Sequence, residues 1–367
     1  MISNLPLFLL HPIDDPATRV TDVVKIQFPE AELFDDINIL CNAAQQCNKQ
    51  CVILYVAAQG YERSTQFYNY AQTLCNHSRY VVLFIDETLQ ISHSFESLIS
   101  MRKLLIVTPA QHNHGPRTNK FVTWQRWFQN LVDHYSQPEI AQYINSVDPY
   151  QAKQYDFDVM LGSQRPYRDK FYEWISGNAS ISTSCFLTYF HKDITSFLQE
   201  PGVVPVGSPF AGHTGAKVRF LNNVMNHSEV PPVSIYKDCA YSIVTETAAL
   251  SNWNFYTEKV AKPLACKRLF IAVGGQHYLQ FLRESGFRTF DGIINESYDL
   301  EPDDSRRYQL AFDQLVYLTQ QPQQEIFEQI RPIVEHNHRV LFETNWHQKM
   351  SQQVRTILTA KLNLEPT

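Results

Sequence analysis

The sequence predicts an α/β protein made of two consecutive domains, each with a parallel sheet covered by helices. From the N-terminus to about Tyr150, short apolar runs of strand length alternate with longer segments of mixed polarity. Such alternation is typical of a parallel sheet. The same alternation restarts at Asp158. The length of 367 residues also suits two domains, because one domain takes roughly 100–200 residues.

The first domain has four predicted strands, each a short apolar run between polar segments. They are Val23–Phe28, Cys51–Val56, Tyr80–Ile85 and Leu104–Thr108. Prolines and a lack of long apolar runs predict the domain crossing between Ser136 and Lys153. We therefore assign residues 1–148 to the N-terminal domain, 149–340 to the C-terminal domain, and 341–367 to a C-terminal helix that can pack back on the N-terminal domain.

The second domain begins with a strand at Asp158–Leu161, a loop at Gly162–Arg168 and a helix that includes Lys170–Ser176. Further strands are predicted at Ile181–Thr188, Ser234–Tyr236, Tyr241–Thr245 and Leu269–Val273. The last of these runs ends in Gly274 and Gly275, and helical spacing follows over Gln276–Ser285. Helical periodicity also marks Phe312–Leu318, Ile326–Val334 and Val354–Leu362.

Composition excludes several classes of protein. A hydrophobic content of 44% and a charged content of 19% indicate a folded chain with sizeable cores. A net charge of −6 gives no general attraction to nucleic acid or anionic membranes. The seven cysteines form no C-x-x-C pair, and the apolar run Leu5–Leu10 is far too short to span a bilayer. We therefore expect a cytoplasmic protein without disulfides or a membrane span.

The segment Thr257–Pro263 carries the clearest chemical signal. Pro263 is tolerated only near the start of a helix, so the helix is expected to begin, or to kink, near Lys262. Lys259 then lies at the positive end of a helix dipole, which favours a bound anion. A pairing of Glu258 with Lys262 on a solvated helix face is the alternative. Cations, a carboxylate and the following strand–glycine–helix turn suit a ligand with phosphates and a ribose.

Two nucleotide-binding fingerprints are missing from the sequence. It contains neither G-x-G-x-x-G after an early strand nor G-x-x-x-x-G-K-[ST]. The sequence therefore does not favour a dehydrogenase or a P-loop NTPase. Two Rossmann-like domains facing a central cleft, with an anion site in the C-terminal domain, describe a glycosyltransferase of the GT-B architecture.

A family resemblance supports this interpretation. The segment Phe255–Leu264 resembles the donor-binding motif of fucosyltransferase-like GT-B enzymes. The longer pattern T-E-K-x-x-K-P-L … F-I-x-V-G-G … L-R-x-x-G-F-x-T-F-D is similar to a group of glycosyltransferase-like proteins of bacteriophages and marine bacteria, which the segments Leu161–Arg168 and Ile243–Thr247 also fit. Tyr167 stands where that group is expected to have histidine. The resemblance spans Asp158 to about Arg307 and leaves the first domain unmatched.

The resemblance implies roles for individual residues. Glu258 would hold the ribose hydroxyls, Lys259 and Arg168 the diphosphate, and Arg165 would assist. The implied substrate-binding set is Arg165, Arg168, Thr245, Glu246, Thr257, Glu258, Lys259 and Lys262. The expected activity is metal-independent, inverting transfer from a nucleoside-diphosphate sugar to a hydroxyl acceptor, without a cofactor. The alternatives are a phage-type transferase acting on a hydroxymethylated DNA base, and a non-catalytic module that binds a nucleotide or glycan.

Other acids and histidines are weaker candidates. Asp86 and Glu87 follow the strand Tyr80–Ile85, where a catalytic base would lie, although Asp86 can equally cap a helix. The pair Asp35–Asp36 is a weaker rival. The D-x-D of Asp156 and Asp158 matches a metal motif but lies at the start of a strand, and His112 and His114 lack a third ligand. We therefore expect no metal site.

Overall fold

The computed structural model describes residues 5–10, 18–57, 65–85, 103–112, 121–193, 200–206, 216–247, 249 and 253–364. The chain divides into two compact units. The first comprises Met1–Arg126 and Asn345–Thr367, and the second comprises Trp127–Thr344. Both contain parallel sheets, so the α/β class predicted from the sequence is confirmed.

The first unit contains a six-stranded sheet in which every strand is parallel to its neighbours, in the order β2-β1-β3-β4-β5-β7. Its strands are β1 (Leu7–Leu10), β2 (Glu32–Phe34), β3 (Val52–Ala57), β4 (Tyr80–Ile85), β5 (Leu104–Thr108) and β7 (Phe121–Thr123), and a short strand β6 (Ala110–His112) lies outside this sheet. The central strands are buried along their whole described length, as expected for strands covered on both faces.

The helices of the first unit come from both ends of the chain. They are α1 (Thr18–Gln27), α2 (Ile37–Gln46), α3 (Thr65–His77) and, after the second unit, α13 (Trp346–Leu364). Buried side chains of α13, including Val354 and Leu358, join the core formed by the sheet and α1. Trp124 Nε1 donates to His347 Nδ1 at 3.0 Å, and Arg79 donates to the carbonyl of Leu362 at 3.0 Å. The last helix is thus part of the first unit's core.

The second unit contains a four-stranded parallel sheet in the order β15-β13-β8-β9. Its strands are β8 (Tyr155–Leu161), β9 (Cys185–Tyr189), β13 (Cys239–Thr245) and β15 (Phe270–Val273). From β8 the chain continues to one side of the sheet, and from β13 it continues to the other. The two central strands therefore form a topological switch point, where ligands of open α/β sheets bind at the carboxyl ends.

Nine α-helices and a small antiparallel sheet of three strands complete the described part of the second unit. The helices are α4 (Arg126–Tyr135), α5 (Pro138–Ile144), α6 (Pro166–Ser176), α7 (Ala179–Thr183), α8 (Val233–Asp238), α9 (Glu258–Ala265), α10 (Tyr278–Glu284), α11 (Asp304–Leu318) and the long α12 (Gln323–Glu343), with α4 starting at the unit boundary. The remaining strands are β10 (Val204–Pro205), β11 (Lys217–Phe220), β12 (Asn223–Asn226) and a separate β14 (Trp253–Phe255).

Two predicted strands are wrong. Val23–Phe28 covers the end of α1 and the residue after it. Val20, Val24 and Phe28 are buried at a spacing of four residues, whereas Ile26 is 71% exposed. This spacing is helical, and only the apolar composition suggested a strand. Ser234–Tyr236 belongs to α8. The predicted strand Ile181–Thr188 is half wrong, since Asn178 caps a short helix there and the strand begins at Cys185.

The boundaries between the units differ from those that the sequence suggests. The sequence places them at 148/149 and 340/341, and the compact units divide at 126/127 and 344/345. Helix α4 lies in the second unit because Phe128 stacks on Tyr256, with ring centroids 5.7 Å apart, and Tyr135 donates to the carbonyl of Glu229 at 3.0 Å.

All seven cysteines are free thiols. Among the described residues, no helix has the length and apolar character needed to cross a bilayer.

Candidate functional site

A pocket of ≈ 310 Å³ opens at the switch point of the second unit. Its floor includes Asp158 and Met160 of β8 and Ser242 and Val244 of β13. Its walls come from the loop after β8, from α8 and α9, and from the segment between β12 and α8. A volume of this size lies at the lower end of the range for small-molecule sites, and parallel sheets bind their ligands at this place.

Six of the eight predicted substrate-binding residues line the pocket. They are Arg165, Arg168, Thr245, Glu258, Lys259 and Lys262. The other two, Glu246 and Thr257, are buried and do not line the pocket. Altogether four cationic side chains and three carboxylates surround the cavity, the carboxylates being Asp158, Glu200 and Glu258.

Arg168 is held by the protein itself. Its side chain is 2% exposed, and its Nη2 donates to the carbonyls of Thr245 (2.8 Å) and Glu246 (3.2 Å). Its Nη1 donates to the carbonyl of Ser163 at 2.7 Å, and its Nε to Thr245 Oγ1 at 3.2 Å. Four of its five N–H groups are thus occupied. Arg168 ties the loop after β8 to the end of β13, which leaves one N–H for a ligand.

Arg165 differs from Arg168 in its surroundings. It is exposed and forms the N-cap position of α6, without a side-chain capping hydrogen bond. Its Nη1 donates to the carbonyl of Gln164 at 2.8 Å. Since Arg165 lies at the start of a helix and beside the pocket, its guanidinium is placed where an anion is favoured.

The T-E-K residues form the first turn of α9. Thr257 is the N-cap and accepts from the backbone of Lys259 at 3.2 Å, so these residues stand at the mouth of a helix, as predicted. The helix starts at Glu258 and contains Pro263, so of the two predicted alternatives a start near Lys262 is excluded and a kink there stays a prediction. Lys259 Nζ lies 2.7 Å from Glu258 Oε1. Burial opposes the charge of Glu258, but Lys259 and Lys262 hold the pKa of its carboxyl below the usual value.

Lys262 lies one turn deeper on α9. Within the described part of the chain, its ammonium makes no hydrogen bond and no ion pair at contact distance. Burial lowers the pKa of Lys262 to about 8, although the nearby Glu258 acts in the opposite direction. A donor without a partner inside a pocket is available to a ligand.

This lysine predicts a pH dependence of stability. Between about pH 8 and the ordinary lysine pKa near 10.5, Lys262 is neutral in the folded chain and protonated in the unfolded chain. The unfolded state then binds more protons, so the free energy of unfolding should rise with pH in this window, relative to Lys262→Met. Urea denaturation of both proteins at pH 7.5, 9 and 10 measures the difference. Parallel pH profiles for the two proteins would contradict the lowered pKa.

Glu246 and Thr257 fix the position of the first turn of α9 through hydrogen bonds. Glu246 is completely buried and accepts from Thr257 Oγ1 at 2.7 Å and from the Tyr278 hydroxyl at 2.8 Å. Burial raises the pKa of Glu246. Tyr167, the residue that departs from the related group, is also buried and donates to the carbonyl of Glu246. These side chains position the T-E-K turn.

Both aspartates of the D-x-D motif, Asp156 and Asp158, accept hydrogen bonds from other side chains of the protein. Asp158 is 1% exposed and accepts from Arg268 at 2.8 Å and from Ser242 at 2.7 Å through the same oxygen. Asp156 accepts from Gln323 at 2.8 Å. In the described ranges, no group of three or more His, Cys, Asp or Glu residues is arranged to hold a metal ion.

Side chains of the protein, Tyr278 and Arg307, pack against Gly274 in the Gly274–Gly275 turn. A Cβ atom on Gly274 would lie 2.5 Å from the ring of Tyr278, and its carbonyl accepts from Arg307 at 3.1 Å. The turn therefore needs glycine for close packing of Tyr278. Neither glycine lines the pocket.

Several candidates fall elsewhere. Asp86, Glu87 and His114 lie outside the described residues, and so does the side chain of His112. Asp36 caps α2 by accepting from the backbone of Asn38 and Ile39, which gives this member of the Asp35–Asp36 pair a structural role.

One whole wall of the pocket was not predicted from the sequence. This wall consists of Glu200, His227, Ser228, Val230, Pro232, Ile235 and Tyr236. Most of it lies next to α8, which was predicted as a strand. The pair Pro231–Pro232 directly before α8 is a helix-start signal that could have revealed it, because proline is favoured where helices begin.

Comparisons with known proteins do not identify a relative. No protein family, no curated protein and no solved structure gives a significant match to this chain. The site therefore has to be interpreted from its own residues.

Proposed function

We propose that the chain is a glycosyltransferase of the GT-B architecture that takes a sugar from a nucleoside diphosphate and transfers it to a hydroxyl acceptor. One observation supports this above all. Arg165 and Lys259 stand at the starts of two helices beside a pocket at the switch point, and Glu258, which also lines the pocket, pairs with Lys259. Helix N-termini with cations bind phosphates, and a carboxylate accepts from ribose hydroxyls.

The chemistry follows from the charge that develops during the reaction. As the glycosidic bond breaks, the leaving diphosphate becomes more negative. Lys259 has a side chain that is 26% exposed, and it can exchange its hydroxyl partners Thr247 and Thr257 for a phosphate oxygen. Fixed cations aimed at this charge lower the barrier, and they can do so without a metal ion. We propose metal-independent transfer for this reason.

Binding of nucleoside diphosphates tests the proposal. A ligand at a hundred times its Kd stabilises the native state by about 2.7 kcal/mol, which raises Tm by several degrees for a protein of this size. We expect at least one common nucleoside diphosphate to produce this shift in excess EDTA. If millimolar concentrations of all of them leave Tm unchanged, the proposal fails. A shift that needs manganese would contradict metal independence.

The acceptor proton requires a base, and we propose Asp86 or Glu87 of the first unit. Asp86→Ala should lower the rate of transfer by roughly 10²–10⁴-fold, with little change in stability. If Asp86 only caps a helix, the variant should instead lose about 1 kcal/mol of stability and turn over normally, because alanine is a poor N-cap. Released diphosphate and a urea titration, measured on the same preparation, separate these roles. Binding without any turnover of the parent protein would favour the non-catalytic module.

A further inference from the structure

The pocket has an open end and a closed end. The open end is the mouth, where Arg165 and Ser163 are exposed. The closed end is formed by Asp158, Ser242, Tyr236 and Glu200, which are all less than 10% exposed, together with Lys262. Lys262 lies four residues beyond Glu258 on α9, which is about 6 Å further along the helix axis. The closed end is therefore a separate part of the pocket.

Lys262 is the cationic group of the closed end that is free to meet a ligand. Glu200 accepts from the Tyr143 hydroxyl at 2.5 Å and from the backbone and hydroxyl of Ser234. Asp158 accepts from Arg268 and Ser242 through Oδ2, and its buried Oδ1 has no hydrogen-bond partner among the described residues. Within the described residues, Lys262 alone among these charged groups has no such partner. Its ammonium only donates, so it requires an acceptor atom on the ligand.

The orientation of a sugar nucleotide in the pocket follows from the need of the acceptor to reach the sugar from solvent. The transferred sugar must be reached by an acceptor from outside, so it has to face the mouth together with the diphosphate. The closed end then receives the nucleoside. Apolar side chains on its sides, including Met160, Val230 and Ile235, suit the flat faces of a nucleobase.

We propose that Lys262 selects the nucleobase by donating to a ring carbonyl oxygen, so that the pocket prefers uracil or guanine to cytosine or adenine. This inference rests on the proposed function. The two favoured bases carry a carbonyl oxygen where the other two carry an amino group. An ammonium facing an amino group leaves two donors opposed and unpaired, which costs affinity.

Calorimetric titration with UDP, GDP, CDP and ADP at pH 7 tests the preference. We expect the favoured diphosphate, UDP or GDP, to bind roughly tenfold or more tightly than its amino counterpart. In Lys262→Met the ratio should fall below about threefold, because the donor is lost. Lys237→Met is the matched control, since Lys237 is an exposed lysine of α8 outside the pocket. It should keep the ratio of the parent protein.

A second variant guards against a folding defect of the first. Lys262→Gln keeps a polar side chain that can both donate and accept, so it should bind the keto and amino bases alike. Equal affinities in the parent protein, or an unchanged ratio in both variants, would overturn the inference and leave the proposed function standing. Failure of all four diphosphates to bind would remove the proposed function itself.

Discussion

Lys259→Ala is expected to lower kcat/KM for sugar transfer by roughly 30- to 1,000-fold, which corresponds to about 2–4 kcal/mol of transition-state stabilisation. Lys259 stands at the start of α9, and its ammonium faces the pocket beside Glu258. The loss should fall on kcat more than on KM, because the charge of the leaving diphosphate is greatest in the transition state. Initial rates of diphosphate release over a range of donor concentrations measure both constants.

The matched control for this variant is Lys267→Ala. Lys267 follows α9 and pairs with Glu335 at 2.9 Å, away from the pocket. Pairs of this partly exposed kind contribute little to stability, so the control should retain the activity of the parent protein. If Lys259→Ala keeps kcat/KM within twofold of the parent, Lys259 does not stabilise the leaving group.

Arg168→Ala is expected to lower the free energy of unfolding by about 3 kcal/mol or more. The substitution removes the four hydrogen bonds of a buried guanidinium. The carbonyls of Ser163 and Thr245 lose this donor, whereas the carbonyl of Glu246 keeps the Tyr167 hydroxyl. Buried acceptors that lose a charged donor carry their full desolvation cost. Urea denaturation should show a lower midpoint with an unchanged slope.

Arg165→Ala is the comparison that separates stability from ligand binding. Arg165 is an exposed arginine at the start of the same helix, so its loss should change stability by less than about 0.5 kcal/mol. It should nevertheless weaken binding of nucleoside diphosphates, because it removes a cation from the mouth of the pocket. If Arg168→Ala unfolds like the parent protein and fails only in binding, Arg168 is the diphosphate clamp that the family resemblance implies.

The parallel strands were the most predictable part of this fold. Tyr80–Ile85 and Leu104–Thr108 are predicted and observed with identical bounds, because strands buried on both faces are continuous apolar runs. Short amphipathic elements were harder. Helix α8 has six residues, too few for a helical period to stand out from a short apolar run.

The candidate site was predictable in position and less so in the state of its side chains. Thr257, Glu258 and Lys259 were expected at the mouth of a helix, and they lie there. Two bonds of Arg168 depend on the backbone carbonyls of Thr245 and Glu246, which lie 77 and 78 residues later in the chain. Sequence spacing contains no information on such long-range contacts. The same limit applies to Lys262, whose lack of partners is a property of the folded pocket.

The C-terminal helix α13 affects how the protein is made. Its buried face completes the core beneath β1 and α1, yet the ribosome adds it only after the whole second unit. Domains made early usually fold while synthesis continues. Here the first unit to emerge is the last that can close its core, so its sheet keeps an uncovered apolar face while some two hundred residues are added. Apolar surface that stays exposed during synthesis favours aggregation and chaperone binding, so we expect a chain that ends before α13 to aggregate more readily than the full chain.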